Sequence, residues 1–335
     1  KMDFSKGIPE ENATMVVIPT VLDSGEKTKE LLEKLEIFYL ANKSENIYFT
    51  LLGDCTTSKN KKEPYDEKII ENAEITLKEL NDKYKKEGLP IFNFIYRNRQ
   101  WNGNQEHFLG WERKRGLLNQ FNEYLLGNLN NVFRVNTIND WNIKRGNKLP
   151  KIKYIITLDA DTNLVLNSGI QLVSAMAHIL NIPELDGEKR RIISGHALMQ
   201  PRVGIDLVSS KKSKFVEIFA GMGGIDSYTN AISDIYQDNF DEGIFTGKGI
   251  YDLEIFSTIM KNQIPENTVL SHDLLEGNYL RCALVSDILL LDGYPSSFNT
   301  FMTRLERWIR GDWQIIRWIK NPRMNLLSKF KIIDN

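Results

Sequence analysis

The feature that most constrains the fold of this chain is an alternation of short apolar runs with helical stretches through its first 180 residues. Apolar runs bounded by turn-forming residues predict buried strands. Four such runs are Met15–Leu22, Asn46–Gly53, Pro90–Arg97 and Lys153–Leu158. Segments with helical periodicity follow them, at Glu26–Asn42, Glu67–Glu87, Trp111–Leu126 and Ile170–Leu180. Because strands joined through helices pair in parallel, the sequence predicts an α/β fold with a mainly parallel sheet.

The second half of the chain is more helical and less regular. Arg190–Met199 predicts a further strand. Trp308–Ile333 mixes Trp, Ile and Leu with Arg and Lys, which predicts an amphipathic C-terminal helix. That helix either packs on its own core or lies on a membrane surface, and the sequence leaves both interpretations open. Since no repeat or low-complexity linker divides the chain, we expect a single domain over residues 1–335.

Composition excludes several functional classes. With 43 basic and 44 acidic residues, the formal net charge is −1, which gives no global basic field for nucleic acid. Two cysteines and four histidines are too few for a disulfide scaffold or a zinc cluster, and indicate buried residues in a reducing compartment. No signal peptide opens the chain, and no apolar run approaches the roughly 20 residues that span a bilayer. We interpret the chain as a domain of a longer protein.

Acidic residues stand where predicted strands end. Asp159-Ala160-Asp161 directly follows one strand, and Asp54 ends another. Open α/β sheets bind ligands at this carboxyl edge. Paired carboxylates suit Mg²⁺ or Mn²⁺ bridged to substrate phosphates, and a single acid can accept hydrogen bonds from a nucleoside. An Asp-x-Asp triplet is a weak signal alone, because solvated turns and helix caps use the same residues.

A second acidic stretch, Ser271-His272-Asp273-Leu-Leu-Glu276, predicts the start of a helix. Asp273 and Glu276 are three residues apart, so they can share a helix face. A carboxylate facing a sugar hydroxyl can act as its general base. The alternative is a helix cap formed by Ser271 with acids in the first turn.

Arginine and tryptophan are concentrated near the C-terminus. The stretch from Arg304 to Gln314 holds three arginines and two tryptophans. Arginine forks bind phosphate oxygens, and cations stabilise charge that grows on a diphosphate leaving group. An ion-paired surface helix is the alternative, since Glu306 and Arg310 are four residues apart. A weaker basic cluster, around Lys114, also suits a diphosphate, although a helix lined with exposed basic residues is the more common explanation.

The glycine-rich stretch Gly243–Gly249 is not a phosphate-binding loop. In it Gly249 follows Lys248, where that motif requires Ser or Thr. We interpret it as a flexible segment that lines the acceptor side. A dinucleotide-dependent oxidoreductase is disfavoured too, since no Gly-x-Gly-x-x-Gly follows the first strand.

In order, these motifs resemble the inverting, processive glycosyltransferases, such as cellulose and hyaluronan synthases. Their pattern is Asp, Asp-x-Asp, an acid-preceded Asp and Gln-x-x-Arg-Trp. This chain departs from it with Ser-His before Asp273 and with Arg304 in place of Gln. The departures are similar to the glycosyltransferase domain of cyclic β-1,2-glucan synthases. So are longer motifs: Gln200-Pro-Arg-Val-Gly204, Ile235-Tyr-Gln-Asp-Asn-Phe240, Gly247-Lys-Gly-Ile-Tyr-Asp252, His272-Asp-Leu-Leu-Glu-Gly277 and Arg307-Trp-Ile-Arg-Gly-Asp-Trp-Gln314.

This resemblance implies a nucleotide-diphospho-sugar transferase (GT-A type) fold, an α/β/α sandwich. Residues 1–180 would bind the nucleotide sugar, and residues 181–335 the acceptor. The resemblance implies transfer of glucose from UDP-glucose to a glucan 2-hydroxyl, as part of a larger synthase on the cytoplasmic side of the inner membrane. A synthase of another β-glucan and a non-catalytic sugar-binding domain remain alternatives.

The resemblance also implies a role for individual residues. Asp54 would bind uridine, and Asp159 would also lie against the nucleotide. Asp161 would ligate Mg²⁺ or Mn²⁺, with Asp159 as the second candidate ligand. Asp273 would be the general base. The leaving UDP and the acceptor end would be held by Arg304, Arg307 and Trp308. Further nucleotide-sugar contacts would come from Pro19, Lys114 and Arg310.

Overall fold

The computed structural model describes residues 1–84, 90–130, 132–145, 150–188, 191–206, 209, 211, 213–219 and 234–335. Contacts divide the chain into two compact units. We call Phe4–Ala160 the N-terminal unit, and Lys1–Asp3 with Asp161–Asn335 the C-terminal unit. The packing changes after residue 160, whereas the sequence interpretation divided the chain after residue 180. That residues 1–335 act as one catalytic domain stays a prediction.

The N-terminal unit is an α/β sheet with helices. Its strands are β1 (Thr14–Leu22), β2 (Ile47–Cys55), β3 (Phe92–Arg97), β4 (Gln100–Asn102), β5 (His107–Leu109), β6 (Phe133–Asn136) and β7 (Tyr154–Thr157). Its helices are α1 (Gly25–Ala41), α2 (Tyr65–Lys83), α3 (Arg113–Leu125) and α4 (Thr137–Arg145), and a 3-10 turn covers Glu10–Asn12. The sheet order is β6-β3-β2-β1-β7. All its neighbours pair in parallel except β6 with β3, while β4 and β5 form a separate hairpin.

Local sequence explains the central elements of this unit. All nine residues of β2 are buried, as expected for an apolar strand covered on both faces. Helix α1 begins where Ser24 accepts a hydrogen bond from the Lys27 amide, a standard N-cap. Its apolar face, including Leu32 and Leu35, is fully buried. The carboxyl ends of β1, β2 and β7 therefore share one edge of the sheet.

The C-terminal unit has a mixed sheet. Its strands are β8 (Thr162–Leu164), β9 (Glu184–Leu185), β10 (Ile192–Ser194), β11 (Leu198–Ile205), β12 (Gly249–Asp252) and β13 (Cys282–Asp292). Its helices are α5 (Ser168–Met176), α6 (Lys214–Phe219), α7 (Ile235–Phe240), α8 (Leu253–Met260), α9 (Asp273–Tyr279), α10 (Phe298–Ile315) and α11 (Leu326–Asp334). Two 3-10 segments cover Ile179–Asn181 and Ile316–Lys320. Within the order β12-β11-β13-β8, β11 and β13 are parallel, and each outer strand is antiparallel to its neighbour.

The predicted α/β class with a mainly parallel sheet is confirmed, and two element predictions are wrong. The strand expected over Arg190–Met199 is two strands, because Gly195 takes a left-handed φ of 68° between β10 and β11. Arg190 itself lies outside the described residues, as do residues 85–87 of the helix expected over Glu67–Glu87. The helix expected over Trp308–Ile333 is also interrupted. It begins earlier, as α10, and a stretch containing Pro322 separates it from α11. Among the described helices, none combines the length and apolar character needed to cross a bilayer.

Candidate functional site

In the N-terminal unit, Asp54 is buried at the end of β2 and paired with an arginine. Arg97 donates from Nε to Asp54 Oδ1 over 2.6 Å and from Nη2 to Oδ2 over 2.5 Å. The Cys55 amide also donates to Oδ1, over 2.8 Å. Both carboxylate oxygens of Asp54 are thus engaged inside the protein. Burial raises the pKa of the adjacent Cys55 thiol to about 12, so it stays protonated and is a poor nucleophile.

Arg97 uses all of its donors within the fold. Beyond Asp54, its Nη1 donates to the Trp111 carbonyl (2.7 Å) and to Gln120 Oε1 (3.3 Å). Its Nη2 also donates to the Arg113 carbonyl over 2.7 Å. A guanidinium has five N–H groups, and these contacts account for all five. Sequence reasoning missed Arg97, although a charged residue ending a buried strand was a usable signal.

The turn that Arg97 holds leads into α3 and to Lys114. Glu112 and Arg113 both have a φ of 51°, which non-glycine residues adopt only when the surroundings impose it. Lys114 Nζ lies 2.5 Å from Asp159 Oδ1, and each side chain is 29% exposed. The structure therefore brings together Lys114 and Asp159, two of the residues expected at the diphosphate. Pro19 is buried in β1, in register with Leu52 of β2.

In the C-terminal unit, Asp161 lies close to one of the predicted arginines. Its side chain is 47% exposed, and Arg304 Nη1 is 3.7 Å from its Oδ2. The Asp161 carbonyl accepts a hydrogen bond from the Gly293 amide over 3.1 Å. Thr162, the next residue, donates to Asp292 Oδ1 over 2.6 Å. Asp161 thus combines a fixed backbone with an accessible carboxylate.

Helix α10 separates the predicted basic residues into two groups. The Arg304 guanidinium lies over the Trp308 ring, 4.9 Å from its centroid, and both side chains are half-buried. The Nε of Arg304 is buried without a hydrogen-bond partner. Arg307 and Arg310 are exposed, whereas Arg304 makes the ion pair with Asp161. Arg304, which pairs with Asp161, is therefore the arginine that replaces Gln in the Gln-x-x-Arg-Trp pattern of the processive glycosyltransferases.

Asp273 is the first residue of α9 and has a buried histidine beside it. His272 Nδ1 lies 2.9 Å from Glu276 Oε1 and 3.6 Å from Asp273 Oδ1. His272 and Glu276 are buried, while the Asp273 side chain is 29% exposed. The N-cap position belongs to His272, which makes no side-chain capping bond, so the alternative of a Ser271 cap is not observed.

These three side chains also form a candidate ligand group. Ligand atoms of His272, Asp273 and Glu276 lie within 4.8 Å of one another. Sequence reasoning paired Asp273 with Glu276 and gave His272 no role. The four-residue spacing of His272 and Glu276 on a helix was the available signal. The arrangement can either bind a cation or hold the Asp273 carboxylate beside a buried polar pair.

The segment of residues 243–249 passes close to Asp273 and is fixed. Lys331 Nζ donates to the Gly243 carbonyl over 3.1 Å, and the Thr246 amide donates to Gln200 Oε1 over 2.9 Å. Six of its seven residues are buried. The expected flexible segment is therefore wrong, because buried side chains from two other elements hold its backbone. A lining position beside Asp273 is consistent with the sequence interpretation.

Comparison with known proteins matches this chain to a segment of a much longer protein. It is 39% identical over 337 residues to the cyclic beta-(1,2)-glucan synthase NdvB of Rhizobium meliloti (strain 1021). The match covers 99% of this chain and 12% of that protein. No protein-family model matches the chain.

Two solved structures give distant matches. An active-site mutant of LgtC is 14% identical with a TM-score of 0.30, and the galactosyltransferase LgtC with donor and acceptor analogues is 13% identical with a TM-score of 0.29. Each match covers 81% of this chain and 72% of the other. The sequence identity confirms the resemblance found in the motifs: along practically its whole length, the chain is a relative of one segment of a cyclic β-(1,2)-glucan synthase.

Proposed function

We propose that the chain catalyses inverting transfer of glucose from UDP-glucose to the 2-hydroxyl of a growing β-1,2-glucan. One observation carries the proposal. Asp273, in the motif shared with cyclic glucan synthases, is a partly exposed carboxylate beside the buried His272–Glu276 pair. The 39% identity to a cyclic β-(1,2)-glucan synthase supports the substrate assignment. The mainly parallel α/β sheet is compatible with a nucleotide-diphospho-sugar transferase fold.

In the proposed reaction, one bond forms, one bond breaks and one proton is transferred. The acceptor 2-hydroxyl oxygen attacks the anomeric carbon, and the bond from that carbon to the diphosphate oxygen breaks with inversion. The hydroxyl proton passes to the Asp273 carboxylate, and UDP leaves with the bonding electrons. General-base catalysis of this kind typically contributes ~10²–10⁴-fold. The buried His272–Glu276 pair would fix the orientation of the Asp273 side chain.

The residues present fit a divalent metal ion at Asp161. Its carboxylate is accessible, and carboxylate oxygens with substrate phosphates are the ligands that Mg²⁺ and Mn²⁺ prefer. When bound, such an ion would neutralise charge on the diphosphate. Asp161 would hold it, and Asp159 is the second candidate ligand. Arg304 would add positive charge at the same carboxylate, with Arg307 and Arg310 as further diphosphate contacts.

Residues of the N-terminal unit are proposed to bind the nucleotide. Lys114 would exchange part of its contact with Asp159 for phosphate oxygens. Asp54 would support the nucleotide site indirectly, by holding Arg97 and the turn that leads to Lys114, because both of its oxygens are already engaged by that arginine. Pro19, which has no backbone N–H to donate, would contribute van der Waals contact.

We also propose that this chain is the catalytic segment of a larger membrane-bound synthase on the cytoplasmic side of the inner membrane. The much greater length of its relative supports a multidomain context. Exposed apolar residues of the C-terminal elements, including Trp313 and Phe330, support contact with a membrane surface.

The test of the function is Asp273→Asn. We expect calorimetric affinity for UDP-glucose to stay within twofold, while transfer falls about 100-fold or more. Glu306→Gln, an exposed acid on α10, is the matched control. Retained turnover in Asp273→Asn would overturn the assignment of the base. Linkage analysis of the product separates this function from synthesis of another β-glucan, and absence of UDP release with Mg²⁺ or Mn²⁺ would indicate a non-catalytic domain.

A further inference from the structure

A buried ion pair in the C-terminal unit lies next in sequence to residues that approach the proposed metal ligand, Asp161, and the proposed base, Asp273. Lys248 Nζ is 2.5 Å from Asp292 Oδ2, and the two side chains are 7% and 9% exposed. Buried ion pairs are weak sources of stability, because desolvation of both charges offsets their attraction. Lys248 precedes β12 and Asp292 ends β13, so the pair joins two elements of the C-terminal sheet region. Its position between these elements points to a role in holding them at a fixed separation.

On the Asp292 side, the pair is tied to Asp161. Asp292 Oδ1 accepts the Thr162 hydroxyl over 2.6 Å, and the Gly293 amide donates to the Asp161 carbonyl over 3.1 Å. A Cβ added at Gly293 would lie 3.3 Å from the Asp161 Cβ. Asp292 thus binds the side chain of Thr162, and Gly293 lies against both the backbone and the Cβ of Asp161.

On the Lys248 side, the pair is tied to Asp273. Gly247 has a φ of +91°, and a Cβ there would lie 2.9 Å from each Asp273 carboxylate oxygen. The preceding residue, Thr246, is itself fixed by Gln200. The backbone of Gly247 therefore lies close to the Asp273 carboxylate, and Lys248 is the next residue in the chain.

We propose that the Lys248–Asp292 pair is a positioning strut that sets the separation of Asp161 and Asp273. This inference rests on the proposed function, in which Asp161 serves the donor diphosphate and Asp273 the acceptor hydroxyl. Both groups act on one displacement, so their spacing controls the approach of the hydroxyl to the anomeric carbon. Lys248 and Asp292 touch neither substrate in this account. They act through the glycines next to them, Gly247 and Gly293.

The decisive variant is the double substitution Lys248→Met/Asp292→Leu. Replacing a buried ion pair by apolar residues of similar size typically preserves stability, so we expect a melting temperature near that of the natural chain. The Thr162 hydroxyl loses its acceptor, and we expect kcat for transfer to fall about tenfold or more, with UDP-glucose KM changed less than threefold. A folded double variant with unchanged kcat would overturn the strut, because a purely structural pair is replaced without loss.

A second variant tests the inference even if the double substitution prevents folding. Gly293→Ala needs a shift of a few tenths of an ångström against Asp161, whereas Gly204→Ala meets only ordinary contacts at 3.4 Å. We expect kcat of Gly293→Ala to fall about threefold or more relative to Gly204→Ala, at equal melting temperature. Equal kcat values would reject the inference. If Asp273→Asn is inactive while both strut variants are fully active, the strut alone fails and the proposed function stands.

Discussion

The pairing of Asp54 with Arg97 makes Asp54→Asn a sharp test of how the N-terminal unit is built. The side chains are 5% and 1% exposed, so the substitution leaves a buried guanidinium without its counter-charge. The new amide group also places N–H donors against the Arg97 donors. Removing one partner of a buried pair costs ~3–5 kcal/mol. We expect about 3 kcal/mol, since Arg97 keeps its contacts to two carbonyls and to Gln120.

Urea unfolding followed by far-ultraviolet circular dichroism measures this loss. With a slope of about 3 kcal/mol per molar urea, the midpoint of the transition that reports the N-terminal unit should fall by about 1 M. Asp161→Asn is the matched control, because that carboxylate is 47% exposed and 3.7 Å from Arg304. Exposed pairs of this kind are worth ~0–1 kcal/mol, so its midpoint should barely move.

The result that would refute this reasoning is an unchanged midpoint for Asp54→Asn together with lost affinity for UDP. Asp54 would then face the nucleotide directly, as the family resemblance implies. The companion variant Arg97→Lys keeps the charge but not the fork. It should lower stability and also weaken UDP-glucose binding, because the turn that leads to Lys114 loses its anchor.

Three further predictions concern titration, reactivity and surface contact. Burial raises the pKa of Cys55 and of Cys282 to about 12, so both thiols should resist iodoacetamide at pH 8 until the chain is unfolded. Burial is the largest single influence on the pKa of Asp66 and alone would raise it, but hydrogen bonds from Arg99, the Glu63 amide and Tyr96, together with the Arg99 charge, outweigh burial and lower the pKa in the folded state. The stability that Asp66 contributes is therefore present above its unfolded pKa of about 4 and lost as the pH falls through the lower folded value, so urea midpoints of the natural chain and Asp66→Asn should differ at pH 7 and converge in acid. Trp313 is 71% exposed, and Trp313→Glu should reduce co-sedimentation with anionic vesicles at least several-fold, whereas an effect no larger than that of Glu306→Gln would argue against membrane contact.

The sequence predicted the sheet of the N-terminal unit well. The expected run Met15–Leu22 became β1, Thr14–Leu22, and Asn46–Gly53 became β2, Ile47–Cys55. Short apolar runs between turn residues carry this information locally, because a strand buried on both faces has few sequence alternatives. Strand ends could also be placed to within about two residues, which is why Asp54 and Asp159 were found at the carboxyl edge.

Local patterns failed where backbone conformation or distant contacts decided the outcome. The break between β10 and β11 depends on the left-handed φ of Gly195, which apolar periodicity does not register. The 243–249 segment has the glycine content of a flexible loop. Its rigidity comes from Lys331 and Gln200, which lie 88 and 46 residues away in sequence from the groups they bind.

In the candidate site, the sequence indicated the acidic residues but not the residues that pair with them. The acids were recognisable because their positions follow predicted strands or open a helix. Their partners were not, since Arg97 is 43 residues from Asp54 and Lys248 is 44 residues from Asp292. Pairing over such separations is set by tertiary packing. The Arg304–Asp161 contact is an intermediate case, in which the motif named both residues and the fold selected one arginine of three.

Burial of these pairs separates the acids into two kinds, and this separation bears on the mechanism. Asp54 and Asp292 are each in contact with a buried cation and are 5% and 9% exposed, so neither carboxylate can readily reach a substrate. Asp161 and Asp273 retain 47% and 29% of their side-chain exposure. A general base and a metal ligand both need an accessible oxygen, whereas an acid that fixes the backbone gains from being enclosed. The side-chain type is the same in all four, so the difference in burial supports the proposal that Asp161 and Asp273 carry the chemistry and that Asp54 and Asp292 support the fold around them.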